Sequence, residues 1–412
     1  MTTDILPSDF DFTDPDVNWA GVPHEEFAAA RKAEPISWIE QPEPARAGMS
    51  VESGTGYWAV TKHADIAAVS KNSKVFSSRE NAVIVRSPET ATREGIELTR
   101  VVIINQDAPD HTQLRQIISR GFTPRAIGAL EEILEERARR IVREAVAAGA
   151  GDFVEQVAAL LPLEVIADML GIPAEDRQQI FEWSNQMTGS DDPGFEGDPE
   201  AASAEVLMYS MGLAAERRAD PRDDIVTKLV NADKDGRGLT DDEFGYFVLA
   251  LAVAGNETTR NAITHGMNAF FDHPDQWELW KSDRPATMVD EVIRWATPVT
   301  SFQRTALEDV ELGGVQIKAG QRVGLFYASA NHDEEIFDSP SIFDITRDPN
   351  PHLAFGGHGA HYCIGANLAR TEIKLMFEAL ADLAPDINRT GEPARLRSPW
   401  LNGIKDLPVS YG

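Results

Sequence analysis

The chain has 412 residues, of which 42% are hydrophobic, and a formal net charge of −29 at pH 7. This acidic balance argues against general nucleic-acid binding and against docking on anionic lipid. No apolar run approaches the roughly 20 residues that a transmembrane helix needs, and the N-terminus lacks a signal-peptide pattern, so we expect a cytoplasmic protein.

Helical periodicity dominates the chain, and the predicted strands are short and scattered among the helices. This order disfavours a βαβ array and predicts a mainly α fold with small peripheral β-sheets. We expect one domain over residues 1–412, with β-rich portions at roughly 30–85 and 299–330. In chain order, the patterns predict strands at 56–61 and 82–85, helices between about 124 and 199 with a loop at 189–199, a helix at 241–273, a hairpin within 310–326 and a helix at 365–383.

The segment from Asn231 to Asp242 resembles a calcium-binding loop in its first ligand positions. An EF-hand, however, needs a bidentate glutamate at position twelve, where this chain has Asp242. Thr240 and Glu243 match a capping box, which opens a helix. We therefore interpret this segment as the start of the long helix rather than as a calcium site.

Polar residues interrupt the apolar middle of the long helix at Gly255-Asn256-Glu257-Thr258. A buried carboxylate is costly unless it is paired, hydrated or used in chemistry. Thr258 can bond back to the carbonyl of Ala254 or donate away from the helix. On these residues alone, a ligand site and an ordinary kinked helix with a solvated Glu257 are equally good interpretations.

Cys363 is the only cysteine, and it lies in a glycine-rich segment from Phe355 to Gly365. A single cysteine cannot form an intramolecular disulfide. Three roles stay open for it: a buried thiol, a nucleophile or a single thiolate ligand for a metal. A thiolate on haem iron would set the chemistry of the whole protein.

Further charged residues are weak signals when each is taken alone. An ion pair on one helix face is usually worth a few tenths of a kcal/mol, and each of these residues also fits a solvent-exposed position. They are the pair Glu291 and Arg294, the pair His111 and Arg115, Arg304 after a strand-like segment, and Arg347.

The order of these motifs resembles that of the cytochrome P450 family. In that family a helix with Gly-x-Glu-Thr-Thr is followed by Glu-x-x-Arg, a single arginine and a glycine-rich cysteine loop. One position departs from the pattern: Gly356 lies seven places before Cys363, where an aromatic residue is usual, and Phe355 lies one place earlier. The matching motifs are Ala254-Gly255-x-Glu257-Thr258-Thr259, Glu291-x-x-Arg294, Arg304, Arg347 and Gly357-x-Gly359-x-His361-x-Cys363-x-Gly365.

Within that family, the chain resembles the actinobacterial steroid C26/C27-monooxygenases nearly from end to end. This resemblance implies hydroxylation of the terminal methyl (C26/C27) on the side chain of cholesterol or cholest-4-en-3-one in sterol catabolism, with onward oxidation to the acid left open. The matching stretches are 11–15, 118–125, 183–189, 252–260, 273–279, 294–300, 355–363 and 400–405.

The resemblance implies haem b (iron protoporphyrin IX) as the cofactor, with Cys363 as its thiolate ligand. Thr258 would hold bound dioxygen, and Glu257 would relay protons. The other implied roles are ligands of the haem propionates for His111, Arg115, Arg304 and His361; a loop around the cofactor for Phe355, Gly357, Gly359 and Gly365; a buried network for Glu291, Arg294 and Arg347; and a substrate pocket for Ile84, Val253, Phe302 and Trp400.

The implied enzyme uses O₂ and two electrons from a separate ferredoxin, which an NAD(P)H-dependent reductase reduces. The family motifs leave no room for a fused redox domain, and the chain has no second cysteine for an iron–sulfur cluster. Exposed Arg115, Arg370 and Lys374 are candidates to receive an acidic ferredoxin. The alternatives are a P450 for another apolar substrate (a fatty acid, a terpene or a macrolide) and a haem-binding sensor or carrier without turnover.

Overall fold

The computed structural model describes residues 10–188, 191–222, 224–231 and 237–412. Helices dominate these residues, as the sequence predicts. The α-helices are α1 (Pro15–Ala20), α2 (His24–Ala33), α3 (His63–Lys71), α4 (Arg93–Leu98), α5 (Asp110–Ile118), α6 (Pro124–Gly128), α7 (Glu131–Ala148), α8 (Leu160–Met169), α9 (Arg177–Thr188), α10 (Pro199–Ala219), α11 (Ile225–Val230), α12 (Asp241–Asp272), α13 (Pro274–Asp283), α14 (Met288–Ala296), α15 (Tyr327–Ala330) and α16 (Ala366–Leu383).

Short strands lie between the helices. They are β1 (Ile36–Glu40), β2 (Gly56–Val60), β3 (Phe76–Ser77), β4 (Ala150–Asp152), β5 (Ser301–Ala306), β6 (Val310–Leu312), β7 (Val315–Ile317), β8 (Arg322–Phe326), β9 (Asn388–Arg389), β10 (Ala394–Arg395), β11 (Ile404–Asp406) and β12 (Pro408–Ser410). The largest sheet has the order β1-β2-β8-β5-β3, in which only the β2–β8 pair is parallel among the described strands. The predicted hairpin is confirmed as β6–β7, which turns at Gly313 and Gly314.

The strand predicted at residues 82–85 is wrong. Ala82 has a φ of 57°, a left-handed conformation that interrupts a regular strand. The N–H of Val83 donates to the Asn105 side chain at 3.2 Å, and its carbonyl accepts from the Gln303 N–H at 2.7 Å. The segment is therefore an irregular strip beside β5. Residues distant in sequence hold it there, and local periodicity does not reveal them.

Helix α12 crosses the helical part of the molecule and contacts α8, α9, α10, α14 and α16. It begins with the predicted capping box, in which Thr240 and Glu243 each accept a hydrogen bond from the backbone N–H of the other. Of the calcium-like pattern, residues 232–236 lie outside the described residues. Gly255 allows a close approach of α8, because a Cβ there would lie 2.8 Å from Cδ1 of Ile166.

One large apolar core joins α12 to α7, α8, α14 and α16, and a smaller core lies against the five-stranded sheet. Helix α16 follows the cysteine segment directly, and its buried Ile373, Met376 and Phe377 anchor it in the large core. The cysteine is thereby attached to a fixed element. Among the described helices, none combines the length and the hydropathy that a membrane crossing needs.

Candidate functional site

The loop before α16 curls around Cys363. The N–H of Cys363 donates to the carbonyl of Phe355 at 2.9 Å, which brings the two residues together. Gly356 has a φ of 93°, a conformation that residues with a side chain rarely adopt. The glycine in place of the usual aromatic residue therefore has a backbone reason, and the ring lies one residue earlier, at Phe355.

Two other glycines of the loop lie against the end of α3. A Cβ on Gly359 would overlap the carbonyl oxygen of Ser70, and a Cβ on Gly357 would overlap the Ser70 hydroxyl. Both positions require glycine for packing between loop and helix, and their predicted contact with a cofactor stays a prediction. Gly365 lies near the sulfur, since a Cβ there would be 3.9 Å from Cys363 Sγ.

The sulfur of Cys363 faces a space inside the molecule. The side chain is accessible to solvent. It nevertheless lies inside the molecule with protein on all sides, and this burial raises the pKa of the thiol. A hydrogen bond from the Gly365 backbone and the charges of Arg115 and Arg370 act in the opposite direction, because they stabilise the thiolate. A metal that replaces the thiol proton would complete this stabilisation.

Phe355 is held by a cation–π contact. The guanidinium carbon of Arg370 lies 4.6 Å from the centre of the Phe355 ring, and Arg370 Nε donates to Asp290 Oδ1 at 2.8 Å. Nε2 of His352 lies 3.1 Å from the same oxygen. Asp290 of α14 thus connects the cysteine loop to α16, and the sequence analysis did not identify it.

Four predicted basic side chains converge beside the loop. The rings of His111 and His361 lie 4.1 Å apart, and Arg115 donates to the carbonyl of Tyr362 at 2.6 Å. Burial, reinforced by the charge of Arg304, lowers the pKa of His361 to about 2. Burial also lowers the pKa of Arg304, which is 5% exposed. This part of the interior therefore has an excess of positive and polar donor groups.

Among the described residues, the arginines of the same basic cluster have no negative partner at ion-pair distance. Within the described ranges, no carboxylate lies at ion-pair distance from Arg115 or Arg304. The acidic neighbour Asp107 instead accepts from the Ser77 hydroxyl at 2.5 Å and the Ser78 N–H at 2.8 Å. The two carboxylates of a haem would supply the missing charge and accept charge-assisted hydrogen bonds. Together with the accessible sulfur, this donor set fits haem b.

Glu291, Arg294 and Arg347 lie in one buried ion-pair network. Arg294 donates to both oxygens of Glu291 at 2.8 Å, and both side chains are fully buried. Arg347 donates to the same carboxylate at 3.1 Å, and Asn350, which the sequence analysis missed, donates at 3.0 Å. Because Arg347 and Asn350 precede the cysteine loop, the network fixes the chain that leads into it.

Glu257 and Thr258 lie next to each other in the middle of α12. The Thr258 hydroxyl donates to the carbonyl of Ala254 at 2.6 Å. Ala254 is exposed although most of this stretch of α12 is buried, so the face with Ala254 and Thr258 borders an internal space. Glu257 is 1% exposed and accepts from Arg260 at 2.5 Å. Arg260 was not predicted from the sequence, although its position three residues after Glu257 is an ion-pair spacing.

Two of the four predicted pocket residues lie in contact. The rings of Phe302 and Trp400 are stacked with their centroids 6.2 Å apart. Ile84 belongs to the irregular segment 82–85, which follows β5 beside Phe302. The fourth residue, Val253, lies half-buried on α12. Phe302 and Trp400 form an apolar wall, and the pocket role of all four residues stays a prediction.

Known proteins have the same fold and similar sequences. The family model for cytochrome P450 matches residues 286–381. A steroid C26-monooxygenase of Rhodococcus jostii (strain RHA1) is 60% identical over 98% of this chain and 85% of its own length. A methyl-branched lipid omega-hydroxylase of Mycobacterium tuberculosis (strain ATCC 25618 / H37Rv) is 43% identical over 93% of this chain and 90% of its own. The structure of a Mycobacterium marinum cytochrome P450 in complex with pseudoionone has a TM-score of 0.89 and 38% identity, and covers 98% of this chain and 99% of that one.

A mainly α fold with an accessible cysteine before α16 and an unpaired basic cluster beside it defines a haem-thiolate protein. The identity over nearly the whole length makes the assignment specific: the chain belongs to the cytochrome P450 family. It is therefore a P450 monooxygenase with haem b as cofactor. The predicted fold, with haem between the long central helix and the cysteine loop, is confirmed.

Proposed function

We propose that this enzyme hydroxylates the terminal methyl (C26/C27) on the side chain of cholesterol or cholest-4-en-3-one. The observation that carries the proposal is the 60% identity, over 98% of the chain, to a protein named as a steroid C26-monooxygenase. The methyl-branched lipid omega-hydroxylase shares 43%. The difference of 17 percentage points favours a steroid over a branched lipid as the substrate class.

The protein would hold haem through the groups already described. Cys363 would supply the axial thiolate, and His111, Arg115, Arg304 and His361 would bind the propionates. When bound, the haem would supply the activation of dioxygen and the insertion of one oxygen atom into a C–H bond. The chain's own residues then have three tasks: to place the steroid, to exclude bulk water and to deliver protons.

Glu257 and Thr258 would deliver the protons. The Thr258 hydroxyl lies on the face of α12 that borders the internal space, and rotation about χ1 would release its O–H from the carbonyl of Ala254. Glu257 lies on the adjoining helix face and has one carboxylate oxygen without a protein partner. It can take up a proton and pass it toward Thr258. General acid catalysis of this kind contributes about 10²- to 10⁴-fold in rate.

The apolar wall would place the steroid. Affinity for a long apolar molecule comes mainly from buried apolar surface, at roughly 25 cal/mol per Å². Phe302 and Trp400 offer stacked rings for the flat steroid or its side chain, and Ile84 adds a flexible aliphatic surface. Phe302 also immediately precedes Gln303 and Arg304 on β5, so the same strand would position both substrate and propionate.

We propose a ferredoxin, reduced by an NAD(P)H-dependent reductase, as the electron donor. Arg370 and Lys374, whose side chains are 32% and 47% exposed, lie on the first turns of α16 after Cys363. An acidic partner could bind there and compete with Asp290 for Arg370. Arg115 does not suit this surface, because it is half-buried and points to the Tyr362 carbonyl. Lys374→Glu should slow the first electron transfer and weaken its dependence on salt concentration.

The substrate proposal is tested by spectral titration of the purified haem protein with cholest-4-en-3-one, cholesterol and a methyl-branched fatty acid. We expect the tightest binding for cholest-4-en-3-one and a terminally hydroxylated product when ferredoxin, reductase and NADH are added. Tighter binding and faster oxidation of the branched fatty acid would contradict the steroid proposal. Steroid binding without NADH-dependent product would favour a sensor or carrier.

A second measurement tests the thiolate. Cys363→Ser should keep the fold but lose the thiolate signature in the reduced, CO-bound spectrum, because a serine hydroxyl is a far weaker donor to iron. An unchanged spectrum would remove Cys363 from the ligand position.

A further inference from the structure

A group of polar atoms on α12 is buried without a protein partner. Asn256 is fully buried, and neither the oxygen nor the nitrogen of its side-chain amide makes a hydrogen bond. Oε1 of Glu257 and Nε of Arg260 are also buried and unbonded. Buried polar atoms are nearly always hydrogen-bonded to protein or to ordered water. Several unbonded atoms within five consecutive residues therefore indicate a site for water.

The contacts of its neighbours show that Asn256 faces α9. With 3.6 residues per turn, the residues one turn before and after Asn256 are Ala252 and Arg260. The Ser184 hydroxyl of α9 donates to the Ala252 carbonyl at 3.0 Å. Arg260 donates to the Asn185 side chain, also on α9, at 3.2 Å. Asn256 lies between these two contacts, in the interface of α9 with α12.

Glu257 connects this interface to the opposite face of the helix. Ala254 and Thr258 border the internal space, whereas Asn256 and Arg260 face α9. Each residue advances the helix by about 100°, so Glu257 lies between the two faces. Its Oε2 is bound to Arg260, and its Oε1 is the buried oxygen without a partner.

Arg260 lies between this place and the partly exposed edge of the helix interface. Asn185 is half-buried, and the side chain of Arg260 is 11% exposed, so both reach the outer edge of the α9–α12 interface. Asn256, one turn earlier, is completely enclosed. Polarity therefore continues from the partly exposed edge to the enclosed carboxylate.

We propose that Asn256 and Arg260 hold ordered water against Oε1 of Glu257, and that protons reach the carboxylate from the α9 side of α12. This inference rests on the proposed function, in which the C–H bond, O₂, two electrons and two protons give an alcohol and water. Each proton passes from water to Oε1 of Glu257, and from the carboxyl group toward Thr258. Asn256 is a positioning residue, because it acts through the water and not on the substrate.

The test compares two oxidants in the intact haem protein with Asn256→Leu, whose side chain has the same number of non-hydrogen atoms and the same branching but no polar atom. With O₂ and NADH, protons must be delivered, so product per NADH should fall about tenfold, which is a part of the 10²- to 10⁴-fold that general acid catalysis supplies. The solvent deuterium isotope effect on product formation should rise. Hydrogen peroxide brings its own protons, so peroxide-driven turnover should stay at the wild-type rate.

Two further variants separate a proton path from a loss of packing. Asn256→Ser, a smaller polar residue that leaves room for another water, should recover most of the coupling. Thr264→Val removes another buried hydroxyl of α12, which donates to the Arg260 carbonyl at 2.8 Å, and should behave as wild type. A fall with both oxidants, or no fall with either, would overturn the proposal.

A crystal structure of the wild type provides a readout that does not depend on turnover. We expect density for water within hydrogen-bond distance of the Asn256 amide and Glu257 Oε1, and none in Asn256→Leu. Absence of that water from the wild type would also overturn the proposal. If the wild type oxidises fatty acids and not steroids, the substrate proposal fails, but the comparison of the two oxidants still decides the function of Asn256.

Discussion

Two buried glutamates of this molecule have an arginine three residues later on the same helix, and their surroundings differ. Glu291 on α14 accepts from Arg294, Arg347, Asn350 and a backbone N–H, so that both oxygens are bonded. Glu257 on α12 is bonded through Oε2 and has no partner at Oε1. Their exposures are 0% and 1%, so burial does not distinguish them.

The first carboxylate is hydrogen-bonded on both oxygens and the second on one, and we propose that only the second takes part in proton transfer. A carboxylate with donors on both oxygens is held in one orientation. A carboxylate bonded on one side can take up a proton on the other. The same Glu-x-x-Arg spacing therefore stabilises the chain before the cysteine loop in one place, and leaves a buried carboxylate oxygen without a protein partner in the other.

The sharpest test makes the same substitution at both glutamates, and Glu291→Gln should have the larger effect on folding. It would leave Arg294 and Arg347 without their negative partner, and breaking a buried pair in this way costs about 3–5 kcal/mol. That is a large fraction of the roughly 5–15 kcal/mol by which proteins are stable. Urea unfolding and the yield of haem-bound protein measure it. An unfolding midpoint equal to that of the wild type would contradict a structural function for this pair.

Glu257→Gln should retain the fold and lose turnover. The amide cannot relay a proton, so we expect product formation to fall roughly 10²-fold, while the stability changes less than in Glu291→Gln. Product analysis and urea unfolding of the same preparation give both numbers. If Glu257→Gln unfolds as readily as Glu291→Gln, the two pairs do not differ as described.

Thr258→Ala should uncouple electron use from hydroxylation. Without the hydroxyl, Thr258 no longer directs proton transfer. We therefore expect the amount of product per NADH to fall several-fold, with peroxide released in place of product. Quantification of steroid product, NADH and peroxide checks this. Thr259→Val is the matched control, because Thr259 is a buried neighbour on the same helix. Equal coupling in Thr258→Ala and the wild type would remove Thr258 from the proton path.

The last prediction concerns the pH dependence of stability, and it tests whether the part of α12 around His265 excludes water. Nε2 of His265 lies 3.0 Å from the Asn402 carbonyl, and burial lowers the pKa of His265 to about 3. As pH falls below about 6.5, the unfolded chain takes up this proton first, so stability present above pH 6.5 is lost between pH 6.5 and 3. The loss from pH 7 to 5 should be about 2 kcal/mol.

His265→Gln provides the comparison for that pH effect. It should be less stable at pH 7 but have a shallower dependence of unfolding free energy on pH. If the variant and the wild type have the same slope between pH 7 and 5, then His265 is hydrated or charged in the folded protein.

Local patterns predicted local structure well. The capping box of Thr240 and Glu243, the turn at Gly313 and Gly314, and the end of α16 before Pro385 all depend on residues within a few positions of each other. The failed strand at 82–85 has the opposite cause. Asn105 and Gln303 determine its path, and they are far away in sequence.

The motifs identified individual residues, but they did not identify the residues that contact them in the folded protein. The sequence named Gly356 as a departure, but only the backbone, with a φ of 93°, explains it. It named Arg370 as a surface residue for a redox partner, yet the structure adds a contact with Phe355 and an ion pair with Asp290. Arg115 turned inward for the same kind of reason: its acceptor, the Tyr362 carbonyl, is 247 residues away.

By itself, the sequence determined the mainly α fold and the family, because the motifs are short and their order along the chain is specific. Only the tertiary structure decided which charges meet. Glu257 and Glu291 have the same spacing to an arginine, but their other neighbours differ. Arg347 and Asn350 donate to Glu291, whereas Asn256 beside Glu257 is buried without a hydrogen-bond partner. Hydrogen bonding of a buried carboxylate depends on these distant neighbours, which a local pattern does not contain.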